Sequence, residues 1–391
     1  MNKKNLVIML ACAVLTFIGL IPDTWAERGV TDTEIRIGQW GPQTGPAALW
    51  GAVARGTGCY FDMINAEGGI QGRKIKYFLR DDAYQPPKTK AIAKELVEYK
   101  KVFAFASGVG TATGMAVKKY LHKKGVPWVG PASGSTYWAY PPTKYLFAVY
   151  PLYCDEAAIL IDYAVGKLGK KRIAFFYQND DYGKEGLRGA EDQLAKHNME
   201  LVAKVSVEIT DTDLSSHALK LRESEADAVI MWLLPKQAAM ILKEASKIDF
   251  KPKWLTSSTL GDVDVMYKIT EGLWEGVIFD YWAELPNSDH PLMIKYRAAQ
   301  EKYAPKERWS TFFAAGFVFA EPLVEGLRRA GRNITREKFV KAMESLDNWN
   351  GGTAHNITYG PNLRQGMNSI FIAKCENGRA VRISDWMEME E

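Results

Sequence analysis

Apolar runs of strand length alternate with helical patterns along nearly the whole chain, and this order constrains the fold more than any other feature. IRIGQW (35–40), KIKYFL (74–79), VFAFAS (102–107), PWVG (127–130), RIAFFY (172–177), LVAKVSV (201–207), DAVIMWLL (227–234), KWLTS (253–257) and GVIFDYW (276–282) read as strands. Helical patterns fall at 47–66, 87–100, 111–124, 154–168, 183–197, 213–223, 235–248, 290–304 and 311–330. A βαβα order predicts parallel sheets with helices on both faces. The nearly continuous apolarity of the strands agrees, because parallel strands are covered on both sides. A total of about eleven strands exceeds one comfortable sheet, so two are expected. Three polar or Pro-containing stretches interrupt the pattern: AVYPLYCDE (148–156), YWAELPNSDHP (281–291) and NITYGPNLRQG (356–366). As crossings between two lobes they would form a hinge of several parallel strands.

The chain opens MNKK, continues through sixteen apolar or small residues (6–21) and reads PDTWA before Glu27. A basic start, a short apolar stretch and a small residue at the break predict a secretory signal peptide, residues 1–26, cleaved after Ala26. The run is short for a membrane-spanning helix, although an uncleaved anchor is the competing reading. Lipoprotein processing at Cys12 is disfavoured, since Met9 stands three places before it and the cut would halve the apolar segment. The length of chain beyond Ala26 suggests roughly two domains. The net charge of +4 is too balanced to imply a nucleic-acid partner. Cys59, Cys154 and Cys375 lie beyond the leader; an odd count gives no complete disulfide framework, and none has metal-site spacing. They read as small buried thiols, with one bridge left open.

In parallel α/β sheets ligands gather at the carboxyl ends of strands, where helices begin and their first N–H groups lack internal partners. Four loops of this kind stand out. GPQTGPAALWG (41–51) sets small residues beside Trp50, whose ring offers a flat apolar wall or packs over a structural turn. SGVGTATG (107–114) resembles a dinucleotide fingerprint only weakly: Thr113 takes the third glycine position and no acidic residue ends the next strand. Thr111 and Thr113 at a helix start fit a small carboxylate better, or act as ordinary caps. GPASGST (130–136) offers backbone groups around Ala132, Ser133 and Gly134, or is a plain Ser/Gly turn. In YQNDDYGKEG (177–186) the aspartates read as N-caps, and Tyr182 as a ring and hydroxyl projecting into a cleft.

Catalytic signatures are scarce. The histidines at 122, 197, 217, 290 and 355 are scattered, and no H-E-x-x-H, G-x-S-x-G or P-loop occurs. No residue stands out as nucleophile or base, so an enzyme is not expected, and neither a cofactor nor a metal is called for.

Several of these stretches together resemble a known family. IRIGQWGPQTGPAALWG, INAEGGIQGRKIKYFLRDDAYQPPKTKAIAKELVE, GVPWVGPASG and YQNDDYGKEG look like the periplasmic binding proteins of the branched-chain amino-acid transport family, over about 32–385. The resemblance implies a type I periplasmic-binding fold: two doubly wound parallel-sheet α/β lobes joined by a three-strand hinge, with a ligand closed between them. Residues 27–149 and 283–358 would form lobe 1, and 150–282 and 359–391 lobe 2. It also implies a periplasmic, monomeric solute-binding protein that delivers a small molecule to the ABC permease subunits of the inner membrane. The alternative is a ligand sensor that docks on a receptor or kinase. By position, Trp50 matches the family's aromatic wall, Thr111 a hydroxyl that meets the ligand carboxylate, Ala132 and Gly134 backbone contacts to the head group, and Tyr182 an aromatic that closes from the second lobe.

Departures from the family pattern bear on the ligand. Leu234 stands where members that hold amino acids carry a tyrosine, with Trp232 nearby. Ser258 occupies the position of an acid that faces the ligand ammonium, and Tyr84 and Gly110 stand where some members have a disulfide. A buried cation without a partner costs on the order of several kcal/mol. The ligand is therefore either an aromatic or aliphatic carboxylate or amide without an ammonium group, held by Trp50, Tyr182 and Trp232, or an amino acid served by Asp262 bending inward.

Overall fold

The computed structural model describes residues 27–388; the expected signal peptide, 1–26, lies outside them. β1 (Glu34–Gly41) leads through a short helical turn at Ala48–Trp50 into α1 (Gly51–Ala66). α1 ends at Gly68 and Gly69, both with positive φ, and the Gly69 N–H bonds back to the Ile64 carbonyl. Glycine makes this left-handed stop without a steric penalty. β2 (Lys74–Asp81), α2 (Pro86–Glu98), β3 (Ala104–Ala106), α3 (Thr111–Lys123), β4 (Trp128–Val129) and β5 (Leu146–Phe147) come next. Their sheet has the order β2-β1-β3-β4-β5, with every pair parallel.

Beyond the first crossover come α4 (Tyr153–Asp162), β6 (Ile173–Gln178), α5 (Asp181–Lys196), β7 (Ala203–Val207), α6 (Ser215–Glu223), β8 (Ala228–Trp232), α7 (Pro235–Lys247), β9 (Lys253–Thr256), α8 (Val263–Ile269) and β10 (Ile278–Tyr281). The chain then returns to the first lobe as α9 (Pro291–Tyr303), α10 (Thr311–Ala330) and α11 (Arg336–Met343). It crosses once more and finishes with β11 (Ser369–Glu376), β12 (Arg379–Arg382) and β13 (Met387–Glu388). The second sheet runs β12-β11-β10-β9-β8-β6-β7, with β13 on β11. β8 (AVIMW) is buried throughout, as a central parallel strand must be, whereas edge strand β7 (AKVSV) alternates burial and exposure.

Two features depart from the sequence expectation. β11 pairs antiparallel with β10, β12 and β13, so the second sheet is parallel only from β10 to β7. These strands arrive by crossover at the far side of β10 and turn back on themselves, a hairpin geometry that needs no covering helix. The crossings touch through isolated bridges: Ala148 with Gln365 in parallel, and Ala283 with Ala354 antiparallel. The Gln365 amide also bonds to the Tyr150 carbonyl at 2.7 Å, and Tyr359 Oη to the Ala148 carbonyl at 2.9 Å. The first and third crossings are thus tied together.

One helix contact sets the front of lobe 1. α1 and α10 cross at Gly56 and Gly316, where a Cβ on either would overlap backbone of the other helix. Thr57 Oγ1 donates across the gap to the Gly316 carbonyl at 3.0 Å. This approach lets α10 bring Thr311, Phe312 and Phe319 to the interlobe face. Gly56→Ala is expected to lower stability by ~1–3 kcal/mol, the range for overpacking a tight core. Thermal unfolding of residues 27–391 would register it as a lower midpoint, and an unchanged midpoint would mean that the crossing is not sterically limiting.

Candidate functional site

In each sheet one strand is flanked by neighbours that lead away in opposite directions: β1 between β2 and β3, and β6 between β7 and β8. Such switch points open a crevice at the carboxyl ends of the strands. Here the two crevices face each other across one pocket lined by residues of both lobes, which in this closed form leaves about 50 Å³ of free volume.

The lobe 1 wall begins at the turn after β1. Asp81, ending β2, accepts from the Gln43 amide at 2.9 Å and from Thr44 Oγ1 at 2.6 Å, which holds the turn down. Burial works against the charged form of Asp81, but these bonds and one from Ala83 keep its carboxyl below the ordinary value. Pinned in this way, the turn delivers Trp50 to the cavity, where its ring meets Tyr84, Tyr182 and Phe312 edge-on. Tyr84 lies against Gly110, and a Cβ there would come within 2.6 Å of the Tyr84 ring. The two positions where the family resemblance places a disulfide are therefore joined by a ring seated on a glycine.

Gly110 is also the N-cap of α3, and no side chain caps that helix. Gly110 lines the cavity, so the free N–H groups of the first turn begin at its wall. Thr111 and Ser133 sit just behind, with hydroxyls paired at 2.8 Å and side chains nearly inaccessible. Thr113 bonds back to the Val109 carbonyl, which agrees with neither a cap nor a ligand contact. Ala132 lines the cavity, but its N–H already donates to Gly108 and its carbonyl accepts from Gly110. The Gly134 carbonyl accepts from Tyr153 N at 2.7 Å, and a Cβ at Gly134 would overlap the Pro151 carbonyl. Its role is close passage of the chain at the crossover.

Lobe 2 contributes Tyr150, Tyr153, Tyr182, Ser258, Thr259, Tyr281 and Trp282. Asp180 caps α5 by accepting from Gly183 N, which aims Tyr182 inward. Tyr182 Oη bonds to Thr259 Oγ1 at 2.7 Å. Trp232 does not reach the cavity: it is fully buried behind Tyr153 and Tyr182 and stacks on Phe175, because its strand points it into the lobe 2 core. Leu234, likewise fully buried, does not line the cavity. Asp262 does not bend inward; it accepts from Val265 N and Phe312 N, holding the starts of α8 and α10.

Of the eight residues singled out in the sequence, Trp50, Ala132, Tyr182 and Ser258 therefore line the cavity. Thr111, Ser133 and Gly134 lie directly behind it, and Trp232 lies deeper. Sequence reasoning passed over Tyr84, Tyr150, Tyr153, Trp282, Phe312 and Phe319. The signal was present in part: AVYPLYCDE and GVIFDYW set aromatics at the crossings themselves, where both lobes meet. None of the lining residues is charged. Burial raises the phenols of Tyr84, Tyr150 and Tyr182 well above their ordinary value, so they remain neutral hydroxyls. Among the described residues no group of His, Cys, Asp or Glu is arranged to hold a metal, and no helix is long and apolar enough to cross a membrane.

Several bonds span the lobes. Trp50 Nε1 donates to the Thr259 carbonyl at 3.2 Å, and Thr311 Oγ1 to the Gly261 carbonyl at 3.2 Å. Glu185 on α5 accepts from the Ser135 hydroxyl and from Thr136 N at 2.7 Å. The structure is thus a closed form.

A sequence profile described as "Periplasmic binding protein" matches residues 34–380. "Leu/Ile/Val-binding protein homolog 8" of Brucella abortus (strain 2308) is 24% identical over 368 residues, covering 90% of each chain. The "Fatty acid ABC transporter substrate-binding protein from Thermomonospora curvata" superposes with a TM-score of 0.84 at 25% identity, covering 93% of this chain and 95% of that one. A "branched chain amino acid ABC transporter from Thermus thermophilus with bound valine" superposes at 0.85 with 20% identity, covering 92% and 97%.

The Glu185 contact can be tested without a ligand. Glu185→Ala removes an acceptor worth ~1.5–3 kcal/mol to each of two donors. It should shift the free protein toward a more open form, read as a larger radius of gyration in solution scattering. Ser135→Ala, which leaves the Thr136 amide bonded, should open it less. Identical scattering from Glu185→Ala and the parent chain would show that this contact does not govern closure.

Proposed function

The chain belongs to the periplasmic binding protein family, and on that footing we propose that it is the extracytoplasmic solute-binding protein of an ABC uptake transporter. Its ligand is a small carboxylate-bearing molecule, caught between the lobes by hinge closure. The observation that carries this reading is the cavity itself: it is walled by aromatic rings from both lobes and opens at the uncapped N-terminus of α3. A helix start without a side-chain cap offers amides and partial positive charge to an anion, and no charged lining residue competes. One structural relative holds valine and another is named for fatty acids; both ligands are carboxylic acids.

Closure results from differential contact. A ligand that touches Trp50, Tyr84 and Phe312 on one side and Tyr153 and Tyr182 on the other makes all its contacts only when the lobes meet, so it favours the closed state. The lobes divide as 27–149 with 283–358 and 150–282 with 359–391, and the first and third crossings act as the joint. The protein works as a monomer in the periplasm, reached through the leader at 1–26, and hands its ligand to inner-membrane permease subunits.

Mass spectrometry of the small molecule that co-purifies with the protein would name the ligand. Calorimetric titration with that molecule should then show Trp50→Ala and Tyr182→Ala each weakening binding by about 100-fold, the order expected when a large buried aromatic is truncated. Circular dichroism should stay unchanged. Full affinity in both variants would move the site elsewhere.

A further inference from the structure

Two carboxyl groups lie behind the cavity. Glu156 on α4 and Asp280 on β10 are wholly buried. Glu156 Oε2 and both Asp280 side-chain oxygens have no hydrogen-bond partner among the described residues. Glu156 Oε1 accepts from Ser258 Oγ at 2.5 Å, and Ser258 Oγ also meets the Tyr150 hydroxyl. Ser258 has a single hydroxyl hydrogen. With that hydrogen on Glu156, the Tyr150 hydroxyl must donate to Ser258. Both residues line the cavity, and their donors then point away from it. What they offer a guest is lone pairs.

The state of the pair decides whether this direction holds. Each carboxyl acts directly on the other, and the remaining groups that face them are Ser258, Tyr150 and Tyr153, none of which is a cation. Two bare carboxylates side by side in a dry interior are strongly disfavoured, and one proton between them relieves both repulsion and missing bonds. Placed between Glu156 Oε2 and an Asp280 oxygen, it leaves Oε1 free to accept from Ser258.

We propose that Glu156 and Asp280 share one proton, and that the negative charge they retain orients the Ser258–Tyr150 relay so that this end of the cavity takes a hydrogen-bond-donating group of the ligand. Ammonium, amide and hydroxyl groups meet that requirement; a ketone or ester oxygen does not. The inference rests on the ligand-binding reading above and narrows its ligand class. It returns, one residue behind Ser258, the negative partner that the serine itself does not supply. Burial raises both carboxyls, Asp280 to about 7 and Glu156 well above the carboxylate range, with repulsion from Asp280 adding to the latter. The two titrate as a unit.

Stability gives a readout that needs no ligand. The folded pair keeps a proton that the unfolded chain releases in the ordinary carboxylate range. The stabilisation by raised carboxyls is therefore complete below that range and is lost as pH rises, through about 7 as the pair gives up its first proton and higher for the shared one. Glu321, buried in lobe 1 and also raised to about 7 by burial, adds its own response, so the quantity of interest is variant minus wild type. Glu156→Gln and Asp280→Asn replace the shared proton with an amide donor and should flatten the fall in thermal midpoint between about pH 5 and 9.

Binding is tested with leucine, phenylalanine and their α-hydroxy acids against the matching α-oxo acids. The wild type should favour the donor member by about tenfold or more, the cost of leaving a buried acceptor unpaired. Glu156→Gln turns its amide nitrogen to Asp280 and its oxygen to Ser258, so it should keep that preference. Glu156→Met removes the acceptor and should abolish it; Ser258→Ala, which cuts the relay, serves if Glu156→Met does not fold. Undiminished pH slopes in both amide variants overturn the shared proton. A wild-type preference for oxo acids, or an unchanged ratio in Glu156→Met, overturns the relay. A wild type that binds neither series overturns the ligand claim, while the co-purified molecule still decides the proposed function and the slopes still decide the proton.

Discussion

Parallel strands end where helices begin, and everything distinctive here depends on two such edges facing one another. A single sheet of this kind presents loose amide groups and short loops to water. Two sheets joined by crossings close those loops onto each other and leave a chamber walled by aromatic rings. The residues that matter are therefore neither in the middle of strands nor far out in loops. Tyr84, Gly110 and Tyr182 stand within a few positions of a strand's carboxyl end, Trp50 closes the longer turn after β1, and Tyr150 and Trp282 stand on the crossings.

The chamber combines apolar walls with polar groups that are already partnered. Thr111 answers Ser133, Tyr182 answers Thr259, and Asp262 answers two helix starts. A guest finds few groups waiting for it, and each has a fixed direction: donors at the start of α3, acceptors at Tyr150 and Ser258. Such a site selects by polarity along one axis and by aromatic shape around it. Because Trp50 and Thr311 reach backbone carbonyls of the other lobe, closing the chamber and completing its walls are one event.

Much of this is legible in the order of residues. Alternating runs betray the α/β class because burial on both faces forces central strands such as AVIMW to be apolar throughout. Trp50 and Tyr182 are visible because an aromatic beside glycines at a strand end has few structural uses. SIFIAKCE at 369–376 escapes recognition as a strand, since it comes after a crossing rather than a helix and pairs antiparallel. Trp232 misleads for a physical reason: being near the site in sequence does not say which face of a strand a ring takes, and this one faces the core. Glu156 is invisible because it acts through Ser258 from another element, a relation that no local spacing encodes.

Tyr84 seated on Gly110 has a consequence for what the loop can tolerate. No thiol takes part in this contact, since Cys59, Cys154 and Cys375 are all unpaired. The loop at Tyr84 is therefore held to the start of α3 by the fit of a ring on a glycine, and any side chain added at Gly110 would unseat the wall and the helix start together.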